Sequence, residues 1–148
     1  MNLNPDKSKY RFLENVAIAD IAFEAFGKDL NTLFENAALA IFELSADLKT
    51  VDAPEEIEFE LEHVNLDNLL YDFLSEILFL KDSRYMIFKE VSVQIKEGVR
   101  NKLRCNLKGE QINTKKHALE NDIKAITMHM FELKKEKTGY KATVVVDI

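Results

Sequence analysis

The chain has 148 residues, of which 47% are hydrophobic and 31% are charged, and its formal net charge is −6. This length and composition predict one globular domain with a buried core, and they argue against a disordered chain. The acidic balance argues against a protein that wraps bare nucleic acid, because phosphate binding needs a basic surface.

The expected location follows from the cysteine count and from the apolar segments. Cys105 is the only cysteine, so no internal disulfide or thiolate zinc cluster can form, which suits a reducing compartment. Residues 1–10 are polar and lack the apolar stretch of a signal peptide. The longest apolar stretch, residues 69–80, contains Asp72 and Glu76 and is shorter than the roughly 20 residues of a membrane span. We therefore expect a cytoplasmic protein without a membrane partner.

The first part of the chain predicts a flexible tail, strands and a helix. Residues 1–9 are the predicted tail, and residues 10–26 are predicted to be extended, in one or two strands around Asn15, ending at Gly27. Asp29 is suited to cap a helix, because its side chain can accept an unpaired amide of the next turn. Apolar residues then recur at helical spacing: Leu30, Leu33, Phe34, Ala37, Ala38, Ile41 and Phe42. This pattern predicts an amphipathic helix that ends between residues 45 and 47.

A strand and a second helix are predicted next. After Pro54, residues 56–62 alternate strictly between glutamate and apolar side chains, which is typical of a half-buried strand. Asn65 or Asp67 is the predicted cap of the second helix. Its apolar face contains Leu66, Leu69, Leu70, Phe73, Leu74, Ile77 and Leu78. Residues 81–84 are predicted to form a loop.

The second half of the chain is predicted to be mostly strands. Residues 87–95 and 103–107 alternate, and Glu97-Gly98 is the predicted hairpin turn between them. The predictions for the remainder are a polar irregular segment (110–122), an extended segment (122–133), a turn (137–139) and a final strand (140–147). This order of elements predicts a single α+β domain, residues 10–148, with two amphipathic helices packed on one face of a mainly antiparallel sheet.

Two acidic residues interrupt apolar segments near the two ends of the chain. Asp20 lies between Ala19 and Ile21, and Asp147 follows three valines. A buried carboxylate without a partner is costly, so each must be exposed, paired, protonated or bound to a cation. If the two strands are neighbours, Asp20, Asp147 and the α-carboxylate of Ile148 form a hard-oxygen site that favours Ca²⁺ or Mg²⁺. The alternative is that Asp20 caps a turn or faces solvent and that Asp147 lies in a frayed end.

The three histidines lack the close helical spacing of a zinc motif. His63 is expected in a solvated loop, and His117 lies in the polar segment. His129 alternates in register with Phe131 and Leu133, so it is expected in the core or at its rim. Spacing alone favours none of the three as a metal ligand or catalytic group.

Charged residues are predicted to form two stripes on the solvent face of the strands. The acidic stripe is Glu56, Glu58, Glu60 and Glu62, and the basic stripe is Lys96, Arg100, Lys102, Arg104 and Lys108. Cross-strand charge pairs explain both stripes and are favoured over a nucleic-acid patch, since no aromatic residues alternate with the basic ones. Cys105 takes an inward position and is expected to be a small core residue. No glycine-rich phosphate loop or nucleophile elbow is present, which argues against an enzyme with its own nucleotide site.

Several segments resemble the archease family. They are residues 10–14, 19–27, 33–40 (Leu-Phe-Glu-Asn-Ala-Ala-Leu-Ala) and 69–76, the stretch 117–129, which contains Lys124-Ala125-Ile126-Thr127, and the closing Val-Asp-Ile. The resemblance extends from about residue 10 to the last residue. The chain departs from the family where many members have His-Thr-Ala-Asp, because it has Ala17-Ile18-Ala19-Asp20. No role for that histidine therefore carries over.

The resemblance implies an accessory protein that is not itself an enzyme. Archeases assist the RtcB-type RNA-splicing ligase, promoting its GTP-dependent guanylylation and its multiple turnover in tRNA splicing, so RNA would be reached only through the ligase. The family's metal site would correspond to Asp20, Asp147 and Ile148, with Ca²⁺ expected and Mg²⁺ or Mn²⁺ as alternatives. By the same resemblance, His117, Lys124 and His129 are secondary candidates for this surface. The rival functions are a chaperone or a modulator of an RNA-modifying enzyme such as a tRNA methyltransferase and, ranked last, a stand-alone hydrolase.

Overall fold

The structure is a computed structural model and describes residues 9–13 and 19–148. The strands are β1 (Tyr10–Leu13), β2 (Asp20–Gly27), β3 (Glu55–His63), β4 (Met86–Lys96), β5 (Asn101–Gln111), β6 (Ala125–Glu136) and β7 (Gly139–Asp147). The helices are α1 (Leu30–Ser45) and α2 (Leu66–Arg84), and a short 3₁₀ turn, Leu48–Thr50, follows α1. Residues 1–8 of the predicted tail and Asn15 lie outside the described residues.

The predicted α+β domain is confirmed, with its strands divided between two antiparallel sheets. One sheet has the strand order β1-β2-β7-β6, and the other has the order β3-β5-β4. Helix α1 packs against β2 and β4, and α2 packs against β6 and β3, so each helix touches both sheets. Apolar side chains from all of these elements form one core, in which Phe34 of α1 meets Phe73 of α2 with ring centroids 5.5 Å apart.

Both helices begin at predicted caps. An Asp29 carboxylate oxygen accepts the Thr32 N–H at 2.8 Å, and the Asn65 side-chain oxygen accepts the Asn68 N–H at 3.2 Å. Of the two candidates for the second cap, Asn65 is therefore correct, and Asp67 lies in the first turn of α2. No helix in the described part of the chain is long and apolar enough to cross a membrane.

The predicted loop at residues 81–84 is wrong, because α2 continues to Arg84. This segment contains no proline or glycine to stop the helix. Lys81 is buried, and its amino group lies 3.2 Å from an Asp82 carboxylate oxygen and 3.7 Å from one of Asp122. Tyr85, with a φ of 52°, adopts the left-handed conformation that ends the helix.

Helix side chains occupy the hydrogen-bonding edges of two strands. On β4, the Ile95 N–H donates to the Asn31 side-chain oxygen at 2.8 Å, and the Val93 N–H donates to a Glu35 oxygen at 2.9 Å. On β6, the Leu133 N–H donates to an Asp67 oxygen at 3.3 Å. An unpaired strand edge is a template for unwanted strand pairing, so these bonds close part of each edge and fix the helices beside the sheets.

Candidate metal site

The two acids noted in the sequence lie directly opposite each other. Strands β2 and β7 are antiparallel neighbours, and their register pairs Asp20 with Asp147. Opposed residues of an antiparallel pair point to the same face, with Cβ atoms about 4.5–5.5 Å apart. The strand adjacency that the metal hypothesis required is therefore present.

Packing of the two strands explains why this register forms. Ile21 and Phe23 of β2 join the core together with Val144 and Val146 of β7. A slip of one residue would turn these side chains away from the core, so burial fixes the register. Asp20 is the first residue of β2 and Asp147 is the last residue of β7, so both are half-buried at the margin of the sheet.

Backbone hydrogen bonds hold the end of the chain beside the acid pair. The Ile148 N–H donates to the Ala19 carbonyl oxygen at 2.9 Å, which places Ile148 next to the residue that precedes Asp20. On the other side of β7, the Lys124 N–H donates to the Asp147 carbonyl oxygen at 2.8 Å, and Ala125 is the β6 partner of Asp147. Asp147 is thus fixed between two strands, and the exposed Lys124 lies next to this row.

The electrostatics of the pair are unfavourable without a cation. Like charges directly opposite each other on a sheet repel. Among the described residues, neither the Asp20 nor the Asp147 carboxylate accepts a hydrogen bond or forms an ion pair. A cation between the two side chains would convert this repulsion into attraction.

The chemistry of the donors fits a hard divalent ion. Carboxylate oxygens are the ligands that Ca²⁺, Mg²⁺ and Mn²⁺ prefer, and no histidine or cysteine occupies the row formed by Asp20, Asp147 and Ala125. In the described part of the chain, no group of three or more histidine, cysteine, aspartate or glutamate side chains is placed to hold a metal. The two aspartate side chains alone would therefore leave coordination positions for further donors, water or a partner.

Thr127 is a polar residue near the pair that the sequence did not single out. It is the β6 partner of Val145, so it lies on the same face as Asp147 and two residues from the acid row. Its Oγ1 is buried and, within the part of the chain that the structure describes, has no hydrogen-bond partner. A buried polar atom without a partner is uncommon and costly. The alternation of side chains along β6 could have predicted that Thr127 lies on this face. It could not have predicted that the Thr127 hydroxyl lacks a hydrogen-bond partner.

His117 is closed off from the acid pair. Its Nδ1 accepts the Asn113 N–H at 3.0 Å, so Nε2 carries the proton and donates to a Glu110 oxygen at 2.9 Å. Its side chain is 0% exposed. Both ring nitrogens are engaged in hydrogen bonds that hold the segment after β5 against Glu110. His117 therefore cannot serve as a free ligand or general base at the surface.

The Glu110 carboxylate accepts several of the hydrogen bonds that hold this segment in place. It also accepts the Asp52 N–H at 2.7 Å, and the Lys116 amino group lies 2.9 Å from its carboxylate. The hydrogen bond from His117, followed by those from Lys116 and the Asp52 backbone, lowers the pKa of Glu110 to about 2. No pattern in the sequence indicated this role for Glu110.

His129 is exposed, so the prediction that it lies in the core or at its rim is wrong. The pairing of β6 with β7 is interrupted between Thr127 and Glu132, and Met130 in this bulge has a φ of 55°. The bulge breaks the alternation on which the prediction depended. Met128 and Met130 are exposed on either side of His129. His63 also differs from expectation, because it is the half-buried last residue of β3.

The charged stripes largely form cross-strand pairs. Strand β3 opposes β5 with Glu60 facing Arg104 and Glu62 facing Lys102. Ion pairs join Arg104 to Glu60 at 3.0 Å and Arg100 to Glu62 at 3.4 Å. The predicted inward position of Cys105 is confirmed, and burial, followed by the nearby Glu35, raises the pKa of its thiol to about 12. The thiol is therefore an inert core group.

Comparison with known proteins gives one consistent result. Residues 10–148 match the model of the "Archease protein family (MTH1598/TM1083)". The chain is 39% identical to the protein archease of Archaeoglobus fulgidus, over 95% of this chain and 99% of the relative. It is 39% identical to that of Methanothermobacter thermautotrophicus, over 88% and 93%.

Two solved structures have a similar fold. The solution structure of Methanobacterium thermoautotrophicum protein 1598 has a TM-score of 0.84 and 36% identity, covering 95% of this chain and 99% of that protein. The crystal structure of a Thermotoga maritima archease, described as a possible chaperone, has a TM-score of 0.62 and 21% identity, covering 92% and 97%. At that identity, the second similarity concerns the fold alone.

Proposed function

The chain belongs to the archease family, and from this we propose that it is an accessory protein of an RtcB-type RNA-splicing ligase. In this role it promotes the GTP-dependent guanylylation of the ligase and its multiple turnover in tRNA splicing, and it catalyses no reaction by itself. The proposal places the protein in the cytoplasm, where the reducing conditions keep a free thiol such as that of Cys105 reduced.

The observation that supports this proposal most is the register of Asp20 with Asp147 beside Ile148. The two side chains and the α-carboxylate of Ile148 would hold a divalent cation, with Ca²⁺ expected and Mg²⁺ or Mn²⁺ as alternatives. When bound, the ion supplies positive charge at a surface that otherwise repels phosphate.

The residues of the site have distinct parts in the proposed mechanism. Asp20 and Asp147 supply carboxylate oxygens from two paired strands, so their spacing is fixed by the sheet. The hydrogen bonds from Lys124 and Ile148 to the backbone hold the end of β7 in place. Lys124, which is exposed beside this row, is positioned to meet an anionic group of the ligase or its nucleotide. Docking of this surface near the nucleotide site would favour nucleotidyl transfer.

RNA is reached only through the ligase in this proposal. The chain has a net charge of −6, and two arginines of the basic stripe are already paired with glutamates. An extended phosphate backbone needs a continuous basic surface, so direct RNA binding is not expected.

The test is an assay of ligase guanylylation and multiple-turnover ligation with wild type, Asp20→Asn and Asp147→Asn. These variants keep the size of the side chain and remove the charge. Glu132→Gln is the matched control, since Glu132 is an exposed acid of β6 outside the acid row. We expect both aspartate variants to lose stimulation and the control to retain it. Full stimulation by both aspartate variants would contradict the role of the site.

A second candidate function is a chaperone or a modulator of an RNA-modifying enzyme such as a tRNA methyltransferase. It rests on the family that this chain shares with the Thermotoga maritima archease, which is described as a possible chaperone. A pull-down from cell extract separates the two. An RNA ligase in the bound fraction supports the first function, whereas a methyltransferase or many unrelated proteins support the second.

A further inference from the structure

The three-stranded sheet has one edge strand, β3, that helix side chains leave open. At its other edge, the β4 residues Val93 and Ile95 donate their N–H groups to side chains of α1. On the four-stranded sheet, Asp67 accepts the N–H of Leu133 in β6. In the part of the chain that the structure describes, no hydrogen bond reaches the outer edge of β3. An edge strand of nine residues without a bulge is a template for a further strand.

The hydrogen-bond alternation of the sheet shows which backbone groups of β3 point to this edge. Val93 directs its N–H away from β5, so its β5 partner Cys105 directs its own backbone groups away from β4 and towards β3. Cys105 faces Phe59 of β3, so these two residues exchange backbone hydrogen bonds. The N–H and C=O groups of the flanking residues, Glu58 and Glu60, therefore point to the open edge.

The inward side chains of β3 are less well covered than those of its neighbour. Three apolar side chains of β3 are half-buried: Ile57, Phe59 and Leu61. Their partners on β5 are all buried: Leu107, Cys105 and Leu103. Phe59 packs on Phe73 of α2 with ring centroids 6.2 Å apart, so its inner side already belongs to the core. An added strand with apolar residues beside these positions would remove the remaining apolar surface from water.

The outer face of β3 is electrostatically compensated at one end. Glu60 forms an ion pair with Arg104, and Glu62 forms one with Arg100 and also faces Lys102. An additional cation at this end would therefore meet glutamates that already have positive partners.

The other end of β3 carries excess negative charge. Glu58 faces Asn106, and the row of Glu56 contains a single lysine, Lys108, which also faces the acid Glu90. The Asn106 amide donates to Glu56 at 2.9 Å and to Glu58 at 3.3 Å, but it carries no charge. Among the described residues, no ion pair joins either glutamate to a cation. This end of the edge therefore favours a cation on an incoming strand.

A second copy of the chain does not fit this edge. If two β3 strands paired with their apolar faces on the same side, glutamates would lie opposite glutamates. Like charges on neighbouring strands repel, which is a known protection of edge strands against self-association. The complementary occupant is a strand with positive charge.

We propose that the open edge of β3 binds an extended segment of a partner protein by strand addition. The segment has lysine or arginine beside Glu56 and Glu58, neutral residues beside Glu60 and Glu62, and apolar residues at the alternate positions. Backbone hydrogen bonds supply affinity, whereas the charge pattern sets the register and rejects acidic strands. This inference depends neither on the acid pair of β2 and β7 nor on the ligase.

The test uses two synthetic peptides, Thr-Val-Thr-Val-Lys-Val-Lys and its reverse sequence, which match the pattern in the antiparallel and the parallel direction. Each is titrated into isotope-labelled protein, and amide chemical shifts are followed by nuclear magnetic resonance. We expect saturable shifts over residues 56–62 with one of the two peptides. Glu58→Gln should weaken binding about threefold, and the matched control Glu62→Gln should bind as wild type does. A peptide with glutamate in place of lysine should not bind.

A pair of variants at position 60 separates strand addition from charge attraction alone. Since the Glu60 N–H points to the open edge, Glu60→Pro removes a donor for the incoming strand without removing a bond to β5. It should retain the circular dichroism spectrum and weaken peptide binding at least tenfold, whereas Glu60→Gln should keep the wild-type affinity.

Hydrogen exchange of the wild type gives a readout that needs no variant. The amides of Glu58 and Glu60 should exchange rapidly in the free protein and at least ten times more slowly with saturating peptide. Protection of these amides in the free protein, absence of saturable binding, or equal binding by Glu60→Pro or by the acidic peptide would overturn the proposal. So would self-association in sedimentation that Glu60→Pro abolishes, because it would assign the edge to a second copy.

Discussion

Replacing Asp20 by asparagine should stabilise the metal-free protein and remove the stabilisation by Ca²⁺. With charges about 5 Å apart, repulsion between Asp20 and Asp147 amounts to about 1 kcal/mol in water and about 3 kcal/mol at an effective dielectric constant near 20. Both side chains are half-buried, and solvent screens them, so the lower value is the better guide. For a chain of 148 residues, about 1 kcal/mol corresponds to about 3 °C in melting temperature.

The Asp20 charge destabilises the metal-free protein, but stabilisation by bound Ca²⁺ should require it. At a free Ca²⁺ concentration of about 100 times Kd, binding stabilises the wild type by about 2.7 kcal/mol, or about 8 °C. Asp20→Asn should gain much less at the same concentration. The measurement is calorimetric melting of both proteins with a chelator and with Ca²⁺, and Glu132→Gln serves as the control that keeps the wild-type response. An Asp20→Asn variant that is less stable than wild type in chelator, yet gains as much from Ca²⁺, would refute the reasoning.

Four further results are expected. Extension of the chain beyond Ile148 by a peptide tag should weaken Ca²⁺ binding in calorimetric titration without changing the circular dichroism spectrum, and equal affinity would count against the α-carboxylate as a ligand. Because the pKa of Glu110 is lowered from 4.5 to about 2, its stabilising contribution is complete above pH 4.5 and is lost as the pH falls towards 2. The difference in melting temperature between wild type and Glu110→Gln should therefore shrink across that range, and a constant difference would contradict the assignment. Asp29→Ala removes the cap of α1 and should lower the free energy of unfolding in urea by about 1 kcal/mol, whereas Asp29→Asn should nearly retain it. Thr127→Val removes a buried hydroxyl without a partner, so urea unfolding of the metal-free protein should show a free energy equal to wild type or up to about 1 kcal/mol higher, and a clear loss would indicate an overlooked contact.

Local patterns in the sequence were sufficient to predict most of the elements. Helix α1 follows from apolar spacing and the Asp29 cap, and β3 follows from strict alternation of glutamate with apolar residues. Both patterns reflect burial of one face, which is a local property. Local patterns were insufficient where a tertiary contact determines the secondary structure. Residues 81–84 remain helical with Lys81 buried and paired with Asp122, a contact that local sequence could not reveal.

For the candidate site too, the sequence could predict the local features but not the long-range contacts. The sequence could identify Asp20 and Asp147 as acids that needed a partner, but their opposition depends on the long-range pairing of β2 with β7. His129 was misplaced because a bulge changes which face its side chain takes.

The most direct test of the proposed metal site is a crystal structure of the protein soaked in Ca²⁺. We expect one Ca²⁺ ion between Asp20, Asp147 and the Ile148 carboxylate, with oxygen distances of about 2.3–2.6 Å, and a parallel soak in Mg²⁺ should give about 2.0–2.1 Å in an octahedron if that ion binds. An ion-free acid pair at a Ca²⁺ concentration that saturates ligase stimulation, or an ion held by other residues, would contradict the account.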